Sequence, residues 1–451
     1  MMTAVTSSAF AVRGVIEGFY GTPWTEAQRL DMVESIGRWG MTTFIYSPKD
    51  DYLLRDGWAQ PFDDAALQKL RRLLETCEAS GVSLAVAVSP GLSMKYSDPT
   101  HRSALVAKLL SLVDAGVRSL GLFFDDIPGA LQWPEDLSSY SSLAQAHASL
   151  VTEMWSSVQD RGATHFMVCP TAYWGNPDDP HLKELCQAID GDIDVFWTGR
   201  SICSATLDVC DATAFVKATG RPPLYWDNFP VNDVAMKHEL HIGPYERREP
   251  ELGSISRGIV VNAMEYAESS KIPLFTIADF LADPFSYDAE ASWHKALAEV
   301  AGDEEDLVAL TAFAENSRSS CLSLSDAVPL TDALSELSFS LVSGDYDKGA
   351  QSIRAIAEVY TQAAARLLHQ PLHNPALLPE MRTWFEAFEL GAHIVRRIAT
   401  LAENRQLETS QVTELEADIT RLRALGRRVF GDSLDMAVEH FVASAQPSPS
   451  R

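Results

Sequence analysis

The sequence predicts an α/β protein: a (β/α)8 TIM barrel domain followed by an all-α helical bundle domain. Three observations lead there. Eight short apolar runs alternate with amphipathic helical stretches over the first 285 residues. The runs are near-continuously apolar rather than alternating, as parallel strands covered by helices require. Beyond residue 285 such runs stop and long helical periodicities take over. Eight β/α units in sequence fit a closed barrel. A doubly wound open sheet is the alternative, but no GxGxxG follows the first run.

In order, the expected strands are Ala11 to Tyr20, Thr42 to Ser47, Ser83 to Ser89, Ser119 to Phe124, His165 to Cys169, Asp194 to Trp197, Pro223 to Trp226 and Gly258 to Asn262. Between them lie helical patterns such as Thr25 to Trp39, Asp63 to Ser80, His101 to Ala115 and Ser142 to Gln159. In the second part, Trp384, Phe385, Phe388, Ala392, Val395 and Ile398 follow the helix period. Val412, Leu415, Ile419, Leu422 and Val429 keep a seven-residue repeat within Gln411 to Phe430, a pattern that core packing or a homodimer seam would explain. The expected organisation is a disordered N-terminus over 1-10, the barrel over 11-285, the helical bundle over 286-444 and a disordered tail over 445-451.

Composition narrows the functions. The chain has 62 acidic and 36 basic residues among 451, a formal net charge of −26, so nucleic acid and anionic membrane surfaces are not expected partners. No apolar run reaches the roughly 20 residues of a membrane helix, and no secretory leader is recognisable, so a cytoplasmic location is expected. The six cysteines show no CxxC; Cys203 and Cys210, seven apart, are expected on one helix as free thiols. No HxH or HExxH occurs, so neither a metal nor another cofactor is expected.

In a (β/α)8 barrel, catalytic groups sit at the carboxyl ends of the strands. Those ends carry Glu17 to Tyr20, Lys49 to Asp51, Asp125-Asp126, Tyr173-Trp174, Trp197-Thr198, Trp226 to Asn228 and Asn262, whereas the opposite ends carry turn glycines such as Gly81, Gly116 and Gly162. Polar and aromatic residues therefore gather on one rim. Tyr20, Tyr173, Trp174, Trp197 and Trp226 supply faces for the C–H surface of a sugar ring, and amides and carboxylates supply partners for its hydroxyls. Asp125 and Asp126 are the candidate acids. Two adjacent carboxylates after an apolar run are costly unless paired, and they suit a division of labour between an ionised and a protonated member. A helix cap explains Asp125 alone equally well. For both to face one substrate the strand must end there, which Pro128 supports. Adjacent acids also fit poorly with a nucleophile and an acid flanking the sugar from different strands.

Seven motifs occur in order at these strand ends: Gly14 to Trp24 (GVIEGFYGTPW), Tyr46 to Tyr52 (YSPKDDY), Phe123 to Asp126 (FFDD), Cys169 to Tyr173 (CPTAY), Trp197 to Gly199 (WTG), Trp226 to Asn228 (WDN) and Asn232-Asp233. Together they resemble glycoside hydrolase family 84, which contains the β-N-acetylglucosaminidases called O-GlcNAcases. The resemblance covers roughly residues 11 to 285. It implies retaining hydrolysis in which the substrate's 2-acetamido group is the nucleophile, Asp125 orients that group, and Asp126 is the general acid and base. It further implies that Gly18, Lys49, Asn228, Asp233 and Asn262 grip the sugar, that Tyr173 bonds near the reacting centre, and that Trp226 walls the acetyl pocket. Partners would be N-acetylglucosaminyl glycoproteins or glycopeptides. Two other readings stay open: a hexosaminidase of free oligosaccharides or cell-wall fragments, and a non-catalytic glycan-binding module.

Overall fold

The computed structural model describes residues 10–343, 346–404 and 409–445. Its strands are β1 (Val12–Glu17), β2 (Thr43–Tyr46), β3 (Ser83–Val88), β4 (Ser119–Phe123), β5 (His165–Cys169), β6 (Asp194–Trp197), β7 (Leu224–Asp227) and β8 (Gly258–Asn262). They close in sequence order into a parallel barrel, β1 pairing with both β2 and β8. The expected (β/α)8 barrel followed by helices is the observed architecture.

The strands point one set of side chains into the barrel and the other toward the helices. The inward set includes Ile16, Ile45, Ala85, Ala87, Phe123, Met167, Cys169, Phe196, Leu224 and Val260, with Tyr173 and Trp226 closing it at the carboxyl end. Burial of these side chains is what holds the rim loops at fixed heights. Helix starts follow the sequence signals. Thr25 and Gln28 form a reciprocal capping box for the helix Glu26–Arg38, and Asp98 caps Pro99–Asp114. The latter begins two residues before the His101 expected from the apolar pattern, because Pro99 occupies its first turn.

The chain folds into two compact units. One holds the residues up to Asp233 together with Tyr245–Ala267 and Leu274–Asp288. The other holds Val234–Pro244, Glu268–Pro273 and the residues from Ala289 onward. In the second unit the helices are Ala289–Ala301, Glu304–Ala314, Val328–Ser343, Tyr346–His369, Leu377–Asn404, Thr409–Ala424 and Ser433–Ala445. Trp384, Phe385, Phe388, Ala392, Val395 and Ile398 are buried there, as their period predicts.

Three expectations fail locally. The seven-residue repeat does not run to Phe430 as one helix: the helix ends at Ala424 and Gly426 adopts φ +61°. Phe430 instead turns back onto the rings of Tyr360 and Phe388. Phe10, placed with the disordered terminus, is fully buried with its ring 5.8 Å from that of Phe280. Cys203 lies in the loop before the helix Val209–Thr219 rather than on it. The expectations for residues 1–9 and 446–451 lie outside the described residues. No described helix is long and apolar enough to cross a membrane.

Candidate active site

β4 ends at Phe123, and the next three residues set the site. The Phe124 amide still donates to the Cys169 carbonyl of β5 at 2.8 Å, and the Thr171 hydroxyl donates to the Phe124 carbonyl at 2.8 Å. Phe124 is driven outward, its ring stacked on His147 at 4.0 Å. Asp125 is therefore turned inward and is buried. Asp126 then adopts φ +55°, a left-handed conformation uncommon for a residue with a Cβ. That single backbone departure breaks the strand alternation and lets two adjacent carboxylates serve one rim. Strain of this kind, of order 1–3 kcal/mol, recurs at functional sites.

The two carboxylates have different surroundings. Asp125 Oδ2 is paired with the ammonium of Lys49, both side chains being almost fully buried. The pair offsets the like-charge repulsion between the two aspartates. Asp125 Oδ1 is buried and has no hydrogen-bond partner among the described residues, an arrangement that costs stability unless something else occupies it. Asp126 is exposed and accepts from two phenols, Tyr20 at 2.7 Å and Tyr173 at 2.8 Å. Burial, followed by the neighbouring Asp126, pushes both phenols far above the ordinary tyrosine range, so they remain donors.

The rest of the rim is tied to this centre. Lys49 Nζ lies 5.6 Å from the centre of the Trp226 ring and 5.8 Å from that of Tyr20. Trp226 stands edge-on to Phe123 and Phe196 and donates through Nε1 to Asn228 Oδ1 at 2.9 Å. Asn262 Nδ2 donates to the same oxygen at 3.1 Å, while its own Oδ1 accepts from the Gly18 amide at 3.2 Å. Asp233 Oδ2 accepts from the Tyr20 amide at 2.7 Å. At Gly18 an added Cβ would lie 2.9 Å from the Trp226 ring, so only glycine allows this approach. Glu17, fully buried, accepts from Arg29 at 2.8 Å and from the Trp24 amide at 2.9 Å, fixing the loop that carries Gly18 and Tyr20.

All nine residues singled out from the sequence lie in the barrel unit, joined by these contacts into one connected set. One expectation changes, and one residue gains a partner. Lys49, which the resemblance implies grips the sugar, pairs with Asp125 rather than with its chain neighbours Asp50 and Asp51. Asp50 Oδ2 accepts from the Gly21 amide at 3.2 Å and Asp51 Oδ2 from the Tyr46 hydroxyl at 2.6 Å. Trp197, counted among the rim aromatics, is fully buried and faces away from the barrel axis against Phe215 and Tyr225. It is one residue beyond Phe196, which points inward, so alternation sends it outward. Trp174 does stand exposed. Sequence reading missed the Tyr20 hydroxyl as a partner of Asp126; its signal was the Tyr inside the GFYG run at the end of β1.

A closed parallel barrel whose carboxyl rim combines paired carboxylates, phenols, amides and an indole wall is the architecture of a glycoside hydrolase. The beta-N-acetylglucosaminidase family profile matches residues 13–315, and the chain belongs to that family, glycoside hydrolase family 84. It is similar to the protein O-GlcNAcases of Rattus norvegicus and Mus musculus, at 31% identity over 271 residues in each case. The alignment takes in 59% of this chain and 29% of theirs, so the chain spans well under half the length of these curated relatives. Among solved structures it is similar to a mutant O-GlcNAc hydrolase of Thermobaculum terrenum, with 32% identity and a TM-score of 0.89. That match covers 97% of this chain and 95% of the other.

Proposed function

We propose that this protein is a retaining exo-β-N-acetylglucosaminidase that uses the substrate's own acetamido group as nucleophile and releases GlcNAc from Ser and Thr of glycoproteins or glycopeptides. The observation that carries the reading is the unpartnered, buried Oδ1 of Asp125 next to an exposed Asp126 gripped by two phenols. An acetamido N–H is a donor of the right kind for that oxygen. Accepting from it, Asp125 increases the electron density on the acetamido oxygen, which attacks the anomeric carbon as the glycosidic C–O bond breaks. Asp126 gives its proton to the departing oxygen and the ring closes to an oxazoline, the N–H proton passing to Asp125. Water then adds to the anomeric carbon as the bond from that carbon to the oxazoline oxygen breaks and the acetamido carbonyl re-forms, the water losing a proton to Asp126 while the nitrogen recovers its own from Asp125.

In this reading Lys49 holds Asp125 in place, Trp226 walls the acetyl pocket, and Tyr173 and Tyr20 orient Asp126. Gly18, Asn228, Asp233 and Asn262 hold the pyranose. In this reading the two carboxylates, from consecutive residues of one strand end, both approach the sugar from that one strand end. That geometry supports a nucleophile supplied by the substrate over a second enzymic carboxylate on the opposite face. The test is hydrolysis of an aryl β-N-acetylglucosaminide, of an O-GlcNAc-bearing peptide and of chitobiose. The reading expects turnover of the first two, with the peptide favoured over the disaccharide. No release of GlcNAc from any of them would sink it, and faster cleavage of chitobiose would reassign the substrate to oligosaccharides.

A further inference from the structure

Asp227 stands between two residues of the sugar site, Trp226 and Asn228, yet points away from it. Its carboxylate is 2% exposed and accepts from Arg248 Nη2 at 2.7 Å, Arg248 Nε at 2.9 Å and the Tyr245 hydroxyl at 2.6 Å. The Arg248 side chain is completely buried. Its remaining donors reach the carbonyls of Ser204 and Ala205 at 3.0 Å each. Those carbonyls belong to the loop after β6. The same loop is held from the other side by Asn228, whose Nδ2 donates to the Ile202 carbonyl at 2.8 Å. One guanidinium therefore bolts the end of β7, which carries Trp226, to the loop after β6.

A buried ion pair of this kind is an uncertain source of stability, because desolvation offsets much of the attraction. What the planar fork supplies is geometry: two parallel bonds to a carboxylate and two more to fixed carbonyls define the position of the strand end. Gly18 leaves Trp226 no spare room where the loop after β1 approaches it, since even a Cβ there would come within 2.9 Å of the ring. The indole is thus hemmed in by Gly18 and by the rings of Phe123 and Phe196, and the strand end that carries it is tied down by the Arg248 strut.

We infer that Arg248 is a positioning residue that fixes the depth of the acyl pocket and so sets which N-acyl glucosaminides the enzyme accepts. This rests on the reading of Trp226 as the wall of that pocket. With the strut removed the indole yields, and longer acyl chains enter with less penalty. Hydrophobic pockets discriminate a single methylene by roughly tenfold or more, and misplacement by about 1 Å is enough to alter rates a hundredfold.

The experiment measures kcat/KM for aryl β-glucosaminides carrying N-acetyl, N-propionyl and N-butanoyl groups, in the wild type and in Arg248→Lys. Lysine keeps the charge opposite Asp227 but loses the fork to Ser204 and Ala205. The acetyl-to-butanoyl ratio is expected to fall by about tenfold. An unchanged ratio, with all three substrates slowed by one common factor, is the signature of a merely structural role and overturns the inference. Should Arg248→Lys not fold, Tyr245→Phe removes one donor to Asp227 while keeping the guanidinium. It is read by the same ratio, with a shift of about threefold expected and no shift overturning the inference. A wild type inactive on all three substrates overturns the glycosidase reading, and this inference with it, which is a different result from an unchanged ratio.

Discussion

At the scale of single residues, the chemistry rests on the unequal environments of Asp125 and Asp126. On the proposed mechanism, replacing Asp126 with alanine removes the proton donor but neither the pocket nor the nucleophile. Cleavage of a glycopeptide is expected to fall about 10²- to 10⁴-fold. Cleavage of an aryl glucosaminide with a strongly acidic phenol should be largely preserved at the first step, read as a burst of phenol. Lys49→Met leaves Asp125 buried and uncompensated. A loss of about 3–5 kcal/mol in denaturant unfolding is expected, together with loss of activity, and a stability within experimental error of wild type would contradict the pairing. Part of this was legible in the sequence: two acids after an apolar run, at a strand end, next to a proline. What was not legible is who partners whom. Tyr20 reaches Asp126 from 106 residues away, and Lys49 answers to Asp125 rather than to its chain neighbours, because barrel closure brings β1, β2 and β4 to one rim.

At the scale of elements, close approach governs the site. Gly18→Ala puts a methyl carbon 2.9 Å from the Trp226 ring, so either the indole or the loop after β1 must move. We expect KM for an aryl N-acetylglucosaminide to rise about tenfold or more while the melting temperature changes little, and an unaltered KM would show that the indole is not part of the substrate pocket. The strand pattern placed Gly18 and Trp226 at strand ends on one rim, because near-continuous apolar runs mark parallel strands, but not their contact. It failed where alternation along a strand matters: Trp197 looks like a rim aromatic in the sequence, but an outward phase buries it against Phe215. It failed again where periodicity outlasts a helix. Val429 falls in the heptad phase, yet the chain has already turned at Gly426, and a left-handed glycine ends a helix whatever the apolar pattern beyond it.

At the scale of the whole molecule, acid stability should come from the end of the barrel opposite the site. Asp194 begins β6 and accepts from His165 at 2.6 Å and Arg257 at 2.7 Å. Burial alone would raise its carboxyl, but these two partners outweigh it and hold it below the ordinary range. A depressed carboxyl stabilises the fold fully above its unfolded value, near 3.9, and that stability is lost as pH falls through the folded value. Asp194→Asn is therefore expected to lower the melting temperature near neutrality, with the gap to wild type closing toward pH 3. A gap constant with pH would contradict this. The division of the chain into two units was visible as a change of texture near residue 285, but the contribution of 234–244 and 268–273 to the helical unit was not, since short segments carry no period of their own. The central claim joins these scales: the barrel holds Asp125 so that the substrate's acetamido oxygen does the attacking. The most direct measurement is kcat/KM across aryl glucosaminides whose N-acetyl group carries zero, one, two or three fluorines. An acetamido nucleophile predicts a steep fall with each fluorine, because fluorine withdraws electron density from the attacking oxygen. A rate indifferent to fluorination would contradict it.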